Sequence, residues 1–501
     1  MIAFRICYFL CMKKIRYNKL NKLSDGYEIK LPFYLNEQQK EALVAIDQFI
    51  NSDELAMTLS GFAGTGKTTL MEVVKKRYSW KINPNTNTYY RIQFAATTHK
   101  AAGVLRPKVL SKVFTVNSLF GILIETNLDV DDYDATNKKS VNGEDKLKKD
   151  SIVIIDEASM LSVNNYNDVI NKCSELGCKV IFVGDPAQLA PVNEEDISIV
   201  FRSGHKKIEL TEIERTDEDA ILKESMAVRE TGFYTYQSNY TEDKGVKYIN
   251  VRDPKEMSDA FESHIQGLRD DPNWFRVLTY TNTNVEKLNT AIRNELKYPD
   301  MPQPGEPMMG YANWGYDGGN YRFINSESYT VKSIIGTDIK SVNEYLEDEH
   351  PEDINIEITN IELTDATGLP VIVPYIDIKK NPNNYNTVKM LCYEKIRLWQ
   401  KWRRESDWMK KIKLQVKIND IENFLFVNDN VRSDSGKIIQ QKVIDFGYAH
   451  TIHKSQGSTF EHVLINDIDI STHCLDKKTR EQLRYVAITR PRQSATIITN
   501  L

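Results

Sequence analysis

Short apolar runs alternate with longer amphipathic stretches over the first 211 residues of the chain. Four runs of strand length, each bounded by polar residues, predict buried strands at 55–60, 92–96, 151–155 and 179–183. The stretches between them have a helical period. The stretch from Leu35 to Ile50, for example, places Ala42, Leu43, Ile46, Phe49 and Ile50 on one stripe behind a plausible N-cap at Asn36. This alternation predicts a parallel sheet of the doubly wound α/β type.

A similar pattern returns in the second half of the chain. It predicts a strand at 275–280, a helix that continues to Leu296, and a closing strand at 495–499. From about 328 to 440 the pattern changes to short β-type runs at 329–331, 354–358, 369–373 and 424–427, separated by Asn, Pro and Gly. The sequence therefore predicts a second α/β core that is interrupted by a mainly β insertion.

Two stretches allow alternative interpretations. Residues 122–150 are acidic and then basic with few apolar positions, and Asn142-Gly143 is a hairpin-turn dipeptide, so a small exposed hairpin and a flexible surface insertion both fit. Lys389 to Ile412 carries Trp399, Trp402 and Trp408 among basic residues. These tryptophans could stack on nucleic acid, but their helical spacing favours a packed helix with a solvated basic face.

Composition places the chain among ordinary globular proteins. It has 501 residues, of which 41% are apolar and 27% charged, and its net charge of -5 neither supports nor excludes nucleic-acid binding. Six cysteines without a C-x-x-C pair predict a reducing compartment. The apolar segment 1–12 is too short to span a membrane, and we expect translation to start at Met12 rather than Met1.

Residues 61–69 fit the phosphate-loop pattern G-x-x-x-x-G-K-[ST] at every fixed position. Such a loop aims backbone N–H groups at phosphate oxygens, which requires glycine where the backbone turns or approaches closely. A strand before the loop and a helix after it supply the setting that the motif needs. The pattern predicts a nucleoside triphosphate site, the alternative being a glycine turn without a ligand, and its residues are Gly61, Gly64, Thr65, Gly66, Lys67, Thr68 and Thr69.

Two later strands end in residues that suit the same site. Asp156 and Glu157 follow the strand at 151–155, and Gln188 follows the strand at 179–183 in a loop with two prolines. Ligands of open α/β sheets bind at the carboxyl ends of the strands. Asp156 suits Mg²⁺ beside Thr68, and Glu157 suits polarising a water molecule, although an acidic pair after a strand is often only a cap or a surface charge.

The order of these and later segments resembles superfamily 1 DNA helicases of the RecD/Dda type, the five-prime to three-prime branch, and most of all the phage Dda-like members. The later segments are Leu210–Arg215, Val277–Asn282, Tyr448–Phe460 and Tyr485–Arg490. The resemblance implies two RecA-like P-loop motor domains at 35–121 with 151–211 (1A) and at 212–327 with 441–501 (2A). It also implies an N-terminal extension at 1–34, a pin region at 122–150 (1B) and an inserted SH3-like β-barrel with a helical excursion at 328–440 (2B).

The resemblance also assigns roles residue by residue. Lys67, Asp156, Glu157, Gln188, Arg215 and Arg490 would be catalytic, the two arginines as fingers, with Gln39 reading adenine and Gly457 also at the nucleotide. Thr68 and Asp156 would hold Mg²⁺. The residues that would contact the DNA backbone are Thr98, His99, Ser118, Thr281, Asn282, Thr451, His453 and Lys454. The chain departs from the family at Thr97, at Asn117 and in the pin, whose one aromatic beyond Phe120 is Tyr133.

The expected activity is ATP-driven, five-prime to three-prime translocation on single-stranded DNA with unwinding of duplex DNA. Two alternatives stay open, namely a DNA-stimulated translocase that displaces proteins without efficient unwinding, and a non-hydrolysing nucleic-acid clamp. ATP, Mg²⁺, single-stranded DNA and forked duplex DNA are the expected ligands, and single-strand-binding protein or other replication and recombination proteins are further candidate partners. We expect a cytoplasmic monomer without membrane contact, in the host cytoplasm if a bacteriophage encodes it.

Overall fold

The computed structural model describes residues 19–22, 26, 28–31, 33–84, 86–126, 138–142, 146–191, 194, 196–213, 219–252, 254–316, 321–347, 352–365 and 368–500, of which 123–126, 138–142, 254–260 and 316 are described by backbone alone. Arg215, Tyr133, Gly143 and the alternative starts Met1 and Met12 lie outside these residues. The chain divides into two compact units. The first comprises 1–97, 101–120 and 146–215, and the second comprises 98–100, 121–145 and 216–501.

The first unit is built on a six-stranded sheet in which every neighbouring pair is parallel. Up to residue 210 the elements are β1 Lys19–Lys22, β2 Glu28–Leu31, α1 Glu37–Ile50, β3 Ala56–Gly61, α2 Lys67–Tyr78, β4 Ile82–Asn83, β5 Thr88–Tyr89, β6 Arg91–Ala96, α3 His99–Val109, β7 Val113–Thr115, α4 Val116–Phe120, β8 Ile122–Thr126, β9 Lys138–Asn142, β10 Ser151–Asp156, α5 Val163–Glu175, β11 Lys179–Gly184, α6 Ile199–Arg202 and β12 Lys206–Leu210. The strand order is β12-β3-β11-β10-β6-β7. The parallel α/β core predicted for this region is therefore confirmed.

The chain between α4 and β10 contains an antiparallel strand pair. β8 pairs with β9, and Ile122 lies opposite Asn142 while Thr126 lies opposite Lys138. Asn142 therefore belongs to the second strand of the pair, and Gly143 lies outside the described residues. The prediction that Asn142-Gly143 forms the turn is wrong, because Asn142 ends the second strand at the base of the hairpin.

The second unit has its own six-stranded sheet, of order β13-β14-β27-β26-β15-β25, which is parallel except for β13. From residue 219 onward the elements are α7 Asp219–Thr231, β13 Asn239–Thr241, β14 Lys244–Asn250, α8 Pro254–Asp270, β15 Phe275–Thr279, α9 Asn282–Leu296, β16 Pro307–Gly310, β17 Trp314–Tyr316, β18 Tyr321–Phe323, β19 Ser328–Ser341, β20 Asn355–Asp365, β21 Pro370–Tyr375, α10 Pro382–Arg404, α11 Trp408–Phe424, β22 Val431–Arg432, β23 Ile438–Gln440, β24 Ile444–Phe446, β25 Ala449–Thr451, α12 Ile452–Ser455, β26 Phe460–Asn466, α13 Asp467–His473, α14 Lys477–Ile488 and β27 Pro491–Thr499. The two α/β sheets agree with the two-domain RecA-like fold that the resemblance implies.

The region inserted into the second core is partly different from the prediction. β21-β20-β19-β16-β24 form a five-stranded antiparallel sheet, as the β-type runs predict. The run 424–427 is not a strand, however. Phe424 ends α11, and Val427 makes a single bridge to Ile376. The four side chains of this run are all buried, so the run lacks the alternation of buried and exposed positions that is typical of a strand.

The helical excursion is larger than the stretch 389–412 suggests. α10 and α11 together run from Pro382 to Phe424 with a break of three residues between them. Trp399 and Trp402 pack against the apolar core of this region, in agreement with the packed-helix interpretation, whereas Trp408 is exposed. No helix among the described residues is both long and apolar enough to cross a membrane.

Candidate functional site

The phosphate-loop pattern occupies the turn between β3 and α2. Gly64 and Gly66 have φ angles of +87° and +81°, which disfavour residues with a side chain. A Cβ on Gly61 would lie 2.6 Å from the Leu210 carbonyl oxygen, and a Cβ on Gly66 would lie 2.5 Å from Gln39 Nε2. All three glycines are thus required by backbone geometry, as the motif predicts.

Lys67 and Thr65 are both held against the loop. The Lys67 ammonium donates hydrogen bonds to the carbonyls of Gly61 and Phe62, each at 2.7 Å. The buried Thr65 hydroxyl donates to the Phe62 carbonyl at 3.0 Å. Thr68 and Thr69 follow in the first turn of α2, where the N-terminal end of a helix favours anions.

Gln39 contacts the phosphate loop from the first turn of α1. Its Oε1 accepts from the Asn36 N–H at 3.2 Å, and Asn36 Oδ1 accepts from the Gln39 N–H at 2.8 Å, which completes a capping box. Its Nε2 donates to the Thr65 carbonyl at 3.1 Å, and the side chain is buried. Gln39 therefore braces the loop backbone through its amide.

Asp156 and Glu157 lie at the carboxyl end of β10. Asp156 Oδ1 accepts from the Glu157 N–H at 2.9 Å. Burial raises the pKa of Asp156, against the opposing effects of that N–H and of the Lys67 ammonium. Glu157 adopts a left-handed conformation with φ of +53°, a strained backbone for a residue other than glycine, and such strain clusters at functional sites.

Gln188 lies beyond β11 in a loop stabilised by Asp185. Its N–H donates to the Asp185 carbonyl at 3.1 Å, and both side chains are buried. β3, β11 and β10 are consecutive strands of the parallel sheet, so their carboxyl ends place residues 61–69, 185–188 and 156–157 along one edge. This arrangement defines the nucleotide half-site of a P-loop ATPase.

Three of the predicted DNA contacts lie near the end of β6 and on α4. Thr98 directly precedes α3, and His99 is its first residue. Ser118, on α4, donates its backbone N–H to Thr115 Oγ1 at 3.2 Å, and its hydroxyl accepts from Lys146 Nζ at 3.0 Å. Ser118 is therefore linked to a cation that could itself meet a phosphate.

Thr281 and Asn282 lie at the carboxyl end of β15, where a buried carboxylate that sequence analysis missed holds the backbone. Asp469 accepts from the Tyr280 and Thr281 N–H groups at 2.7 and 2.8 Å, from the Thr279 hydroxyl at 2.5 Å and from Asn284 Nδ2 at 2.6 Å. Because the partners are about 190 positions away along the chain, no local signal in the sequence identifies Asp469.

Thr451, His453 and Lys454 lie at the carboxyl end of β25, which is the neighbour of β15. Thr279 and Thr451 are paired in register, and the Tyr280 and His453 rings are 6.0 Å apart. Lys454 Nζ donates to Asn325 Oδ1 at 2.9 Å and lies 4.3 Å from the centre of the Tyr311 ring. Burial lowers the pKa of Lys454 to about 7. The structure thus brings the predicted contacts of both segments to one edge of the second sheet.

Arg490 and Gly457 lie at the other end of that sheet. The buried Arg490 guanidinium donates to the carbonyls of Val486 and Ser458 at 2.9 and 3.1 Å and to Thr489 Oγ1 at 2.7 Å. Gly457 has a φ angle of +76°, which directs the chain towards β26. Arg490 is therefore tied directly to the segment that contains Gly457.

Comparisons with known proteins agree with this arrangement. An AAA domain family matches residues 34–247, and the UvrD-like helicase C-terminal domain family matches residues 446–498, which together make up just over half of the chain. The ATP-dependent DNA helicase dda of Enterobacteria phage T4 is 27% identical over 286 residues, which are 52% of this chain and 57% of that protein. An uncharacterized protein of Acanthamoeba polyphaga mimivirus is 25% identical over 502 residues, 87% of this chain and 94% of the relative.

A solved structure of Pif1 helicase from Bacteroides, in complex with ADP-AlF3 and single-stranded DNA, has a TM-score of 0.46 at 19% identity and covers 93% of this chain and 92% of its own. The P-loop half-site and the two family matches support the resemblance to superfamily 1 helicases. Within that superfamily, the order of its motifs and the phage relative agree with the RecD/Dda type.

Proposed function

We propose that the chain is an ATP-dependent DNA helicase that moves five-prime to three-prime on single-stranded DNA and unwinds duplex DNA. The observation that carries the proposal is the convergence of Lys67, Asp156 and Gln188 at one edge of the first sheet. The two family matches and the T4 relative, itself an ATP-dependent DNA helicase, support the activity and the substrate, and the direction rests on the RecD/Dda-type order of motifs.

The nucleotide half-site would work by positioning and charge stabilisation. Lys67 and the N–H groups of the loop would bind the phosphates, Glu157 would polarise the attacking water, and Gln188 would sense the γ-phosphate. The Thr68 hydroxyl and the half-buried Asp156 carboxylate are oxygen donors of the kind Mg²⁺ prefers, and they fit a divalent cation. When bound, Mg²⁺ would neutralise charge on the phosphates.

Other roles remain proposals that rest on the family pattern. Gln39, through its contact with the loop, would couple adenine recognition to the position of Thr65. Arg215 and Arg490 would act as arginine fingers, and Gly457 would allow the backbone next to Arg490 to respond to the nucleotide. Closure on ATP and opening on product release would then drive translocation.

DNA would be gripped through its backbone. Thr281, Asn282, Thr451, His453 and Lys454 supply hydroxyl, amide and basic groups, which suit phosphates and carry no base code. Thr98, His99 and Ser118 would extend this contact. Such a surface suits a motor that must move along any sequence.

The finer architecture is proposed as a pin at 122–150 and an SH3-like barrel at 328–440, within motor domains bounded as in the sequence prediction. The β8–β9 pair supports the pin, and the antiparallel sheet β21-β20-β19-β16-β24 supports the inserted domain. The expected partners are single-stranded and forked DNA, with single-strand-binding protein as a further candidate, and the expected state is a cytoplasmic monomer.

A translocase that displaces proteins without unwinding is the second candidate. Its support is the sequence of the pin, where Tyr133 is the one aromatic residue beyond Phe120, so that little is available for stacking on a separating base pair. A non-hydrolysing clamp is disfavoured, because the hydrolytic set Lys67, Glu157, Arg215 and Arg490 is complete in the sequence.

The test is unwinding of matched duplexes that carry a five-prime or a three-prime single-stranded tail, together with ATPase activity with and without single-stranded DNA. We expect DNA-stimulated hydrolysis and unwinding of the five-prime-tailed duplex alone, with both activities lowered at least about a hundredfold in the Glu157→Gln control. Unwinding from three-prime tails would overturn the direction. Stimulated hydrolysis without unwinding would favour the translocase, and hydrolysis that DNA does not stimulate would exclude a motor.

A further inference from the structure

The second helix of the α10–α11 pair carries apolar side chains on two opposite sides. Ile418, Ile421 and Phe424 pack into the core. The other side exposes Trp408, Met409, Ile412 and Val416, whose side chains are 70%, 56%, 41% and 52% exposed. Residues at these spacings lie on one face of a helix, about 180° from the buried side. We call these four residues the α11 stripe.

A basic cavity of about 530 Å³ lies between α10 and α11 beside this stripe. Its lining includes two carboxylates, Glu347 and Glu405, and five cations, which are Lys401, Arg404, Lys410, Lys413 and Lys417. Lys401 forms an ion pair with Glu347. Within the part of the chain that the structure describes, the other four cations have no ion-pair partner. With five cations and two carboxylates in its lining, the cavity has a net positive charge.

The exposed stripe and the cavity are adjacent on the helix. On α11, Lys413 lines the cavity and lies four positions after Met409 and three before Val416, so it borders the stripe on the helix surface. Contiguous apolar surface bordered by charge is typical of protein interaction sites. A partner that fits must bury an apolar face and bring negative charge to one side of it.

Single-stranded nucleic acid and a second copy of the chain both meet this requirement poorly. Single-stranded nucleic acid would supply negative charge but needs aromatic rings for stacking, and three of the four residues in the stripe are aliphatic or thioether side chains. Trp402 is partly buried and its ring centre lies 4.6 Å from Lys411 Nζ, so within the stripe Trp408 is the one ring available for stacking. A second copy of the chain, packed stripe to stripe, would bring lysines against lysines.

We propose that the α11 stripe and its basic flank form a docking site for an acidic amphipathic helix of a partner protein. Apolar side chains at every third or fourth position of that helix would pack on Trp408, Ile412 and Val416. Its carboxylates would meet Lys413, Lys417 and Arg404. This site is separate from the nucleotide and DNA residues, so it would recruit a partner to the helicase rather than take part in hydrolysis.

The test is binding of a fluorescein-labelled peptide of about 18 residues, with Leu at helical spacing and Glu on the flanking positions, to the full chain by fluorescence anisotropy. We expect micromolar affinity that weakens as salt increases. Ile412→Asp with Lys413→Glu should weaken binding about tenfold or more. Both residues are exposed, so the variant should keep its DNA-stimulated ATPase activity, which shows that it is folded.

Matched controls separate this site from general stickiness. Leu475→Ala, at a residue that is 90% exposed, and Lys244→Glu, on the exposed side of β14, should leave the affinity unchanged. A peptide with Lys in place of Glu should not bind. The proposal is overturned if the acidic peptide does not bind, or if it binds the double variant as well as the parent. It is also overturned if the double variant binds the peptide as the parent does but loses affinity for an oligo(dT) strand or for anionic vesicles.

Discussion

Replacement of Asp469 by Asn tests whether this carboxylate holds the segment 279–284 in place. Oδ2 accepts from the Thr279 hydroxyl and from two consecutive backbone N–H groups, whereas Oδ1 accepts from Asn284 Nδ2 at 2.6 Å and lies 2.8 Å from His473 Nδ1. The side chain has no exposed surface. An amide in its place must direct an NH₂ group at one of these two sets of donors.

The magnitude follows from the number of bonds that change. At least one hydrogen bond is lost, because the new NH₂ group faces another donor there. The remaining hydrogen bonds lose the negative charge that strengthens them. Bonds to charged groups are worth about 1.5 to 3 kcal/mol each, so the free energy of unfolding should fall by about 3 kcal/mol. Since the segment carries Thr281 and Asn282, affinity for single-stranded DNA should fall as well.

The matched control is Asp476→Asn at the exposed N-cap of α14. Asp476 accepts from the Thr479 N–H at 2.6 Å, and asparagine caps helices about as well as aspartate, so stability should change by only a few tenths of a kcal/mol. Urea unfolding followed by tryptophan fluorescence is a suitable assay, because five of the six tryptophans, all except Trp80, belong to the second unit. Oligo(dT) affinity is measured alongside.

The result has a dependence on pH. Burial raises the pKa of Asp469, but the hydrogen bonds from Thr279, Thr281, Tyr280 and Asn284 outweigh it and hold the pKa below its usual value. A depressed carboxyl pKa stabilises the fold above the unfolded pKa, and that stability is lost as pH falls through the folded pKa. The difference between parent and variant should therefore shrink below about pH 4. A loss no larger than that of Asp476→Asn would refute this reasoning, and a loss of stability with unchanged DNA affinity would leave Asp469 a purely structural role.

Three other substitutions test the nucleotide site and the predicted DNA contacts. Glu157→Gln should keep ATP binding but lower DNA-stimulated turnover by about 10² to 10⁴, as measured by phosphate release, and normal turnover would remove its assigned role. Gly66→Ala should abolish binding of a fluorescent ATP analogue, because φ is +81° and the new Cβ would lie 2.5 Å from Gln39 Nε2; intact binding would contradict that geometry. With a pKa of about 7, Lys454 is charged below neutral pH and loses its charge above it, so DNA affinity should fall as pH rises through 7, and Lys454→Arg should flatten that profile.

Sequence reasoning succeeded where the signal is local. The phosphate loop, the strands that lead to Asp156 and Gln188, and the N-cap at Asn36 all lie within a few residues of the pattern that predicts them. Parallel strands then bring their carboxyl ends together, so one topological rule assembles the nucleotide residues at a single edge.

The failures have a common cause in long-range structure. Asn142-Gly143 has the composition of a turn, but pairing of β8 with β9 places Asn142 at the base of the hairpin, opposite Ile122. In the sequence, Asp469 is indistinguishable from an ordinary polar residue of a short helix. Only the fold places its carboxylate at the end of β15. The run 424–427 is apolar because it is buried on all sides, and such a run has no period from which a strand could be distinguished.

One segment of the second unit links its two functional ends. β25 ends at Thr451 on the carboxyl edge of the sheet, whereas β26, which runs in the same direction two strands away, begins at Phe460 near the opposite edge. Residues 452–459 must therefore lead the chain from the edge of the predicted DNA contacts back to the edge where Ser458 accepts from Arg490.

The path of that segment is well defined. It starts with the helical turn α12, capped by Thr451 Oγ1, which accepts from the Lys454 N–H at 3.3 Å. The Ser458 N–H donates to the Ser455 carbonyl at 2.8 Å, and Gly457 turns the chain at positive φ. A displacement of Arg490 would consequently act on Ser458 and, through this short hydrogen-bonded path, on Thr451 and Lys454. If Arg490 and Lys454 have the roles proposed above, this hydrogen-bonded segment connects the arginine finger to the DNA contacts within the second unit.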